Sequence, residues 1–385
     1  MILELNEQQR MVQEQARRFA EREIRPTVEA DERDHVFRPE RVRRMGELGF
    51  FGCVLPEEYS GNGMGFMESV LIAEQIARVS PSWRLPFNMQ NLGPALTVNR
   101  FGSEDQKRRT IPDWIAGEKL GFFAITEPNS GSDVASMKTS AVDAGDHWLL
   151  NGQKMWISNA SVGDTGLVYA VTDRGQKYHG LTCFIVNLKE TEGIGTRAIE
   201  TKLGLHCAPT GEIVFDGAKV PKDAVLGEVG QGFAICMWML NNTRLGCAAG
   251  ALGVAGACLE LAIGYANERT QFGQPISKFQ MIQAQIAELV AEHDAAQLLV
   301  YRAAYLKDQG KPNQMQTSTA KLFASEAAVH AANEAMKIFG SYGFSSEYPI
   351  ERFYRDAKSL QVVEGTSNIQ KLIIAGIACG HQANR

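Results

Sequence analysis

The spacing of the apolar residues changes twice along this chain, and these two changes limit the folds that it can adopt. Over residues 5–117 apolar side chains recur every three or four positions, which is the period of an amphipathic helix. Over residues 120–229 the spacing changes to short alternating runs of β-branched and aromatic residues, such as Leu167–Val171, which is typical of strands. After Gly232 the helical spacing returns and persists. The order of elements is therefore predicted to be helical, then β, then helical.

These changes predict three domains and an α+β fold class. We expect an N-terminal helical domain at residues 1–118, a central antiparallel β domain at residues 119–230 and a C-terminal helical domain at residues 231–385. Within the β domain, Asn151-Gly152 and Asp216-Gly217 predict tight turns, because these dipeptides favour hairpin connections.

The composition excludes several classes of partner. A formal net charge of −5 provides no basic field for nucleic acid or for an anionic membrane. No run of eighteen apolar residues occurs and the chain starts with a charged, helix-patterned segment, so we expect a cytoplasmic or matrix-like protein without a membrane span. The seven cysteines are odd in number and contain no C-x-x-C pair, which predicts buried reduced thiols rather than disulfides or a zinc site.

Several common catalytic motifs are absent from the sequence. It contains no G-x-S-x-G elbow, no H-E-x-x-H zinc motif, no P-loop and no dinucleotide-binding glycine motif after a strand. One set of glycines, Gly246, Gly250, Gly253 and Gly256, recurs every three or four residues within a helical run. Close helix packing explains this spacing better than phosphate binding does.

Three segments combine features that core packing does not require. Phe123–Asp133 is an apolar strand that runs into a loop of small hydroxyl and amide residues, which can bind a planar polar ring or a phosphate but is also compatible with a simple turn. Lys154–Asn159 places an aromatic and a hydroxyl residue on one strand. In Gln361–Gln370, Glu364 follows an apolar run and precedes Gly-Thr-Ser, which suits either a helix entry or a general base of raised pKa.

Together these segments resemble the acyl-CoA dehydrogenase family, and the resemblance covers essentially the whole chain. Phe123–Ser132 resembles the family's flavin loop, Trp156-Ile157-Ser158 its W-I-T signature and Glu364-Gly365-Thr366 its E-G-T catalytic motif. The resemblance implies FAD as cofactor, with contacts from Phe123, Ile125, Thr126, Ser132, Trp156, Ile157, Ser158, Thr366 and Asn368. It further implies that the FAD of a neighbouring subunit is reached by Arg269, Gln271, Phe272, Gln280, Lys337, Ile338, Phe339 and Gly340.

The resemblance also implies a reaction, an assembly and a partner. By analogy, Glu364 removes the α-proton of a CoA thioester while the β-hydride passes to flavin N5, and Asn241, Arg244, Ser132 and Gly365 contact the substrate. Thr243 has no useful basicity, so the alternative base position found in some relatives is excluded. The C-terminal domain would be a four-helix bundle, the protein a homotetramer and the electron acceptor an electron-transfer flavoprotein. An oxidase, a reductase, a redox-neutral lyase with structural FAD and a silent acyl-CoA-binding protein remain as alternatives.

The substrate is indicated mainly by Arg84, which lies among apolar residues in Pro81–Met89. An arginine there is either a surface residue at a helix end or a buried cation that requires an anion. Its position resembles the arginine that holds the distal carboxylate in glutaryl-CoA dehydrogenases. Met45–Gly52, His147–Gly152 and Ala383–Arg385 resemble the non-decarboxylating members of that subgroup and the related cyclic carboxyl-CoA and benzylsuccinyl-CoA dehydrogenases. Glutaryl-CoA, cyclic carboxyl-CoA and benzylsuccinyl-CoA substrates all stay open. Decarboxylation after oxidation also stays open, because Val363 replaces the tyrosine that many family members place before the catalytic glutamate.

Overall fold

A computed structural model describes residues 4–380, and the resembling segment at the end of the chain, Ala383–Arg385, lies outside them. The helices of the first part are α1 (Glu7–Phe19), α2 (Val28–Arg33), α3 (Pro39–Glu47), α4 (Phe66–Ala77), α5 (Pro81–Leu92), α6 (Pro94–Phe101) and α7 (Glu104–Ala116). Local sequence sets several of these boundaries. Ser103 and Gln106 form a reciprocal capping box at the start of α7, and Gly117 ends it with a φ of 71°.

The strands follow as one sheet in the middle of the chain. They are β1 (Gly121–Ala124), β2 (Ser140–Asp143), β3 (His147–Ser158), β4 (Thr165–Val171), β5 (Leu181–Asn187), β6 (Ile194–Ala198), β7 (Thr210–Pro221) and β8 (Val225–Leu226). The sheet order is β6-β7-β3-β2-β4-β5-β8, with β1 beside β4. Most pairs are antiparallel, as predicted, but β1 and β2 each pair with β4 in parallel. The sheet has its own core, which includes Trp148 and Phe184.

The two predicted turns in this domain are wrong. Asn151-Gly152 lies inside β3 and Gly217 lies inside β7, where the register between these two strands shifts next to Leu150. The side-chain oxygen of Asn151 accepts a hydrogen bond of 2.8 Å from the Gly217 amide, and Gly152 has a φ of 142°. The dipeptides therefore form a bulge between long strands, because glycine permits the local kink that a bulge requires.

Long helices form the last part of the chain. They are α8 (Gly232–Glu268), α9 (Gln280–Asp308), α10 (Gln314–Phe339), α11 (Ile350–Leu360) and α12 (Ser367–Ala378), with the short hairpin β9 (Thr270–Gln271) and β10 (Gln274–Pro275) after α8. The predicted stop near Gly310 is confirmed by the break between α9 and α10. The predicted α+β fold class, helical then β then helical, is confirmed.

Helix α8 is the centre of the helical core. It packs against α4, α5, α9 and α10, and nearly every residue of Thr243–Cys258 is buried. Its glycines explain how the helices approach so closely, since a β-carbon at Gly246 would overlap Asn88 and one at Gly253 would overlap the Glu74 carbonyl. The packing interpretation of this glycine set is thus supported by the contacts.

Length and composition alone would allow α8 to cross a membrane, but 83% of its most apolar stretch is buried inside the protein, which is typical of a core helix. The cysteines are free thiols, as predicted, and all except Cys379 are buried.

Candidate active site

A cavity of about 380 Å³ lies where the three parts of the chain meet, which is within the usual size range of small-molecule sites. Each part contributes wall residues. The α5 helix supplies Leu85 and Met89, and the β domain supplies Phe123, Ile125, Thr126, Gly131, Ser132, Val134, Trp156, Ile157 and Ser158. The helical C-terminal part supplies Met237, Leu240, Arg244, Val362, Val363, Glu364, Gly365, Thr366, Ile369 and Ile373.

Glu364 occupies a constrained position between α11 and α12. Its φ of 57° lies in the left-handed region, which is unfavourable for a residue with a side chain and is found where surrounding contacts enforce it. Those contacts are present on two successive carbonyls. The Glu364 carbonyl accepts hydrogen bonds from Arg244 Nε at 3.1 Å and Gln370 Nε2 at 3.2 Å, and the Gly365 carbonyl accepts one from Lys321 Nζ at 2.8 Å. The backbone that carries the carboxylate is therefore fixed by side chains from α8, α10 and α12.

The Glu364 carboxylate is held by neutral donors. Thr243 Oγ1 donates to Oε2 at 2.6 Å, and Asn88 Nδ2 lies 3.5 Å from Oε1. Burial raises the pKa of Glu364 above its ordinary value, while the Thr243 hydrogen bond and the positive charges of Arg84, Arg244 and Lys321 oppose that rise. A carboxyl group with a raised pKa and a fixed orientation is suited to accept a proton near neutral pH.

Arg84 is fully buried in α5, with 0% of its surface exposed, so it is not a surface residue at a helix end. Its Nε, Nη1 and Nη2 atoms make no hydrogen bond to any residue in the described part of the chain. An unpaired buried guanidinium is costly, and such groups are normally paired with an anion. Arg84 does not itself line the cavity, but it follows the same helix as Leu85 and Met89, which do, and its charge acts on Glu364.

A buried ion pair supports the loop that follows β1. Lys154 of β3 is fully buried and its Nζ lies 2.8 Å from Glu127 Oε1 and 3.1 Å from the Ile125 carbonyl. Glu127 also accepts the amides of Lys138 and Thr139 at 2.6 and 2.9 Å. Burial lowers the pKa of Lys154 to about 8, although the adjacent carboxylate opposes this change. This pair was not predicted from the sequence, where its signal is one acidic residue in Phe123–Asp133 and one basic residue in Lys154–Asn159.

The β side of the cavity offers a surface suited to a planar cofactor. Trp156 has a φ of 62° and 54% of its surface is exposed, so a large aromatic ring is available beside the hydroxyl-bearing residues Thr126, Ser132 and Ser158. An exposed aromatic ring next to several hydrogen-bond donors matches the needs of an isoalloxazine ring. The residues present therefore fit a flavin.

The eight residues predicted to reach the FAD of a neighbouring subunit do not line this cavity. Arg269 and Gln271 lie at the β9–β10 hairpin, Phe272 at its tip is 93% exposed, and Gln280 starts α9. Lys337, Ile338, Phe339 and Gly340 lie at the end of α10, where the side chains of Ile338 and Phe339 are buried. The two groups are neighbours, since the Arg269 guanidinium lies 5.5 Å from the Tyr342 ring.

Two further predicted residues also lie outside the cavity wall. The side chain of Asn241 bonds to Asn313 at 3.0 Å, and Asn368 is exposed in the first turn of α12.

Three models of the acyl-CoA dehydrogenase family match the chain in sequence order. The N-terminal domain model matches residues 6–118, the middle domain model residues 122–218 and the C-terminal domain model residues 230–378.

Individual relatives agree with these matches. A glutaryl-CoA dehydrogenase of Desulfococcus multivorans is 47% identical over all of both chains. A solved structure of a glutaryl-coenzyme A dehydrogenase with glutaryl-CoA is 46% identical, with a TM-score of 0.97 over 100% of this chain and 98% of that one. A structure from work on the electron transferring flavoprotein of Acidaminococcus fermentans is 38% identical, with a TM-score of 0.96 over 98% and 99%. The resemblance inferred from the sequence is thus confirmed, and the chain belongs to the acyl-CoA dehydrogenase family of FAD-dependent oxidoreductases.

Proposed function

We propose that this protein dehydrogenates the α,β bond of a carboxylated acyl-CoA of the glutaryl-CoA type, with Glu364 as the base and Arg84 as the partner of the distal carboxylate. The observation that carries this proposal is the fully buried guanidinium of Arg84, which has no partner within the described residues. A substrate carboxylate would supply the missing anion and would form charge-assisted hydrogen bonds. The 47% identity to a protein named glutaryl-CoA dehydrogenase supports the same substrate class.

The proton-transfer step follows from the contacts of Glu364. The ionised carboxylate accepts the α-proton, and Thr243 Oγ1 holds the carboxylate in place throughout, since it donates to the oxygen Oε2 at 2.6 Å. Burial raises the pKa of Glu364, which makes the transfer to it more favourable near neutral pH. The fixed carbonyls of Glu364 and Gly365 also fix the neighbouring amide groups, which are then available to the thioester oxygen as negative charge develops on it.

FAD, when bound, supplies the two-electron acceptor for the hydrogen of the β-carbon. We assign its binding on this chain to Trp156, Thr126, Ser132 and Ser158, whose ring and hydroxyl groups line one wall of the cavity. Phe123, Ile125 and Ile157 complete that wall, and Thr366 lines the cavity from the start of α12. These residues orient the cofactor and exclude water, so the base and the acceptor face the same substrate.

The charge balance of the site favours an acyl group that carries a carboxylate. Arg84, Arg244 and Lys321 are buried cations whose charges act on Glu364, the carboxylate they surround. Excess positive charge in a dry site attracts a substrate carboxylate and stabilises negative charge that develops on the thioester oxygen. Arg244 and Lys321 are engaged with backbone carbonyls, which leaves Arg84 for the substrate.

We further propose a homotetramer in the cytoplasm that passes electrons to an electron-transfer flavoprotein. The exposed hairpin with Phe272 and the adjacent end of α10 lie away from this chain's cavity, and we assign them to the FAD of a neighbouring subunit. A related structure at 38% identity comes from work on an electron transferring flavoprotein, which supports that partner. The buried position of the apolar stretch in α8 supports a protein that is not inserted in a membrane.

The test is anaerobic bleaching of the purified flavoprotein at ~450 nm, where oxidised flavin absorbs, with glutaryl-CoA and butyryl-CoA as alternative substrates. Glu364→Gln should retain FAD and bind either thioester while bleaching falls by about three or more orders of magnitude. Arg84→Ala should lower the ratio of bleaching rates for glutaryl-CoA over butyryl-CoA by at least about tenfold. Unchanged bleaching in the first variant contradicts the base assignment, and an unchanged ratio in the second contradicts the carboxylate assignment.

A further inference from the structure

The side chain of Arg84 lies directly on the backbone of α8, at a position where that helix has no side chain. A β-carbon at Gly250 would be 2.8 Å from Arg84 Nε, 2.9 Å from Cδ and 3.1 Å from Cγ. One turn earlier, a β-carbon at Gly246 would overlap the side chain of Asn88. Two polar residues one turn apart on α5 therefore each rest on a glycine of α8.

A β-carbon at Gly250 would displace the side chain of Arg84. Contacts below about 3.0 Å are not tolerated by carbon and nitrogen atoms, so one group must shift. Nε is part of the guanidinium, and Cδ and Cγ connect the guanidinium to the backbone. A shift of these three atoms would therefore move the guanidinium. Arg84 is fully buried, and none of its guanidinium nitrogens makes a hydrogen bond to a described residue that would hold the group in place.

We propose that Gly250 is a specificity-determining residue, because its bare backbone is the surface that places the Arg84 guanidinium where a substrate carboxylate can meet it. This inference rests on the proposed function of Arg84 and adds a second residue that sets the preference for carboxylated thioesters. Gly250 touches neither substrate nor cofactor in this scheme, so it acts as a positioning residue. A residue with a side chain at position 250 would shift selectivity toward plain acyl chains.

The helix itself gives no reason to keep glycine at this position. Glycine weakens a helix interior relative to alanine, and Gly250 lies in the middle of the 37-residue helix α8. The chain offers a matched control in the same helix, since a β-carbon at Gly264 would meet nothing within 4 Å. Gly264→Ala makes the same chemical change without the contact.

The experiment compares kcat/KM for glutaryl-CoA and butyryl-CoA in four holoenzyme variants, with FAD content and Tm measured for each. These are Gly250→Ala, Gly264→Ala, Arg84→Ala and the double variant Gly250→Ala/Arg84→Ala. We expect Gly250→Ala to lower the glutaryl-to-butyryl ratio by at least about tenfold, as loss of a charge-assisted contact should. Gly264→Ala should leave the ratio unchanged. The double variant should match Arg84→Ala, because the two changes disable the same group.

The outcomes separate this inference from the substrate proposal. If Arg84→Ala lowers the ratio and Gly250→Ala does not, the inference about Gly250 is wrong while the substrate proposal stands. If Arg84→Ala leaves the ratio unchanged, both are overturned. If Gly250→Ala fails to fold, the double variant decides, since removing the arginine side chain should restore Tm and FAD content. A double variant that also fails to fold would show that Gly250 serves other packing, which overturns the inference.

Discussion

The hydrogen bond from Thr243 to Glu364 leads to a quantitative prediction about the pH dependence of catalysis. Valine has nearly the shape of threonine, so Thr243→Val removes the hydroxyl that donates to Glu364 Oε2 at 2.6 Å and little else. The hydroxyl stabilises the ionised carboxylate, and its loss must therefore raise the pKa of Glu364 further. A hydrogen bond to a charged group contributes about 1.5–3 kcal/mol, and one pKa unit corresponds to about 1.4 kcal/mol. A loss of this size lowers the ionised fraction of Glu364 by about tenfold to a hundredfold at a pH below its pKa.

The assay is the pH profile of kcat, since its acid limb reports the group that must be ionised in the enzyme–substrate complex. The limb should move to higher pH, and the rate below the limb should fall by about tenfold to a hundredfold. Thr97→Val is a matched control, because the hydroxyl of Thr97 is also buried but donates to the Gly93 carbonyl at 2.8 Å. An acid limb that stays in place in Thr243→Val, or moves equally in the control, would refute this account of Glu364.

Two further predictions concern buried charges away from the base. Lys154→Met should lower Tm and FAD retention, because it leaves the buried carboxylate of Glu127 without a partner, which costs about 3–5 kcal/mol. Adding Glu127→Gln should recover much of the lost Tm and FAD retention. Equal losses in the single and double variants would contradict this expectation. Burial and the Glu32 carboxylate raise the pKa of Asp356. Above about pH 4 the folded state therefore holds a proton on Asp356 that the unfolded state has lost. The stability that this proton provides is lost as the pH rises through the raised pKa. Asp356→Asn keeps an acceptor for the Leu205 amide and should lose less Tm between about pH 5 and 8, which thermal unfolding at several pH values would check.

The order of domains could be predicted because it depends on local periodicity alone. Each long helix of the chain repeats its apolar residues over many turns, and a signal of this length is difficult to mistake for a strand. The errors in the β domain have a local cause as well. Asn151-Gly152 has the composition of a hairpin turn, yet it lies in a bulge because Gly217 on the next strand meets it there. A pattern within one strand does not contain information about its partner.

The base could be predicted from the sequence, but its surroundings could not. Glu364 stands in a short recognisable motif, whereas the groups that surround its carboxylate come from three distant helices. Asn88 is 276 residues away in sequence and Thr243 is 121 residues away. The same holds for Lys321, which lies in an ordinary amphipathic run of α10 and is fully buried against the Gly365 carbonyl. Only the packing of α5, α8 and α10 brings these side chains together.

The three cations around Glu364 differ in one respect that decides their roles. Arg244 donates to the Glu364 carbonyl and Lys321 to the Gly365 carbonyl, so the positive charge of each is tied to the backbone whose left-handed conformation it stabilises. Arg84 is equally buried, yet none of its guanidinium nitrogens makes a hydrogen bond to any group in residues 4–380. A chain that satisfies two buried cations and leaves the third unpaired keeps that third charge available for a ligand. It is therefore Arg84 whose removal should change which thioester is oxidised, whereas Arg244 and Lys321 should affect every substrate alike.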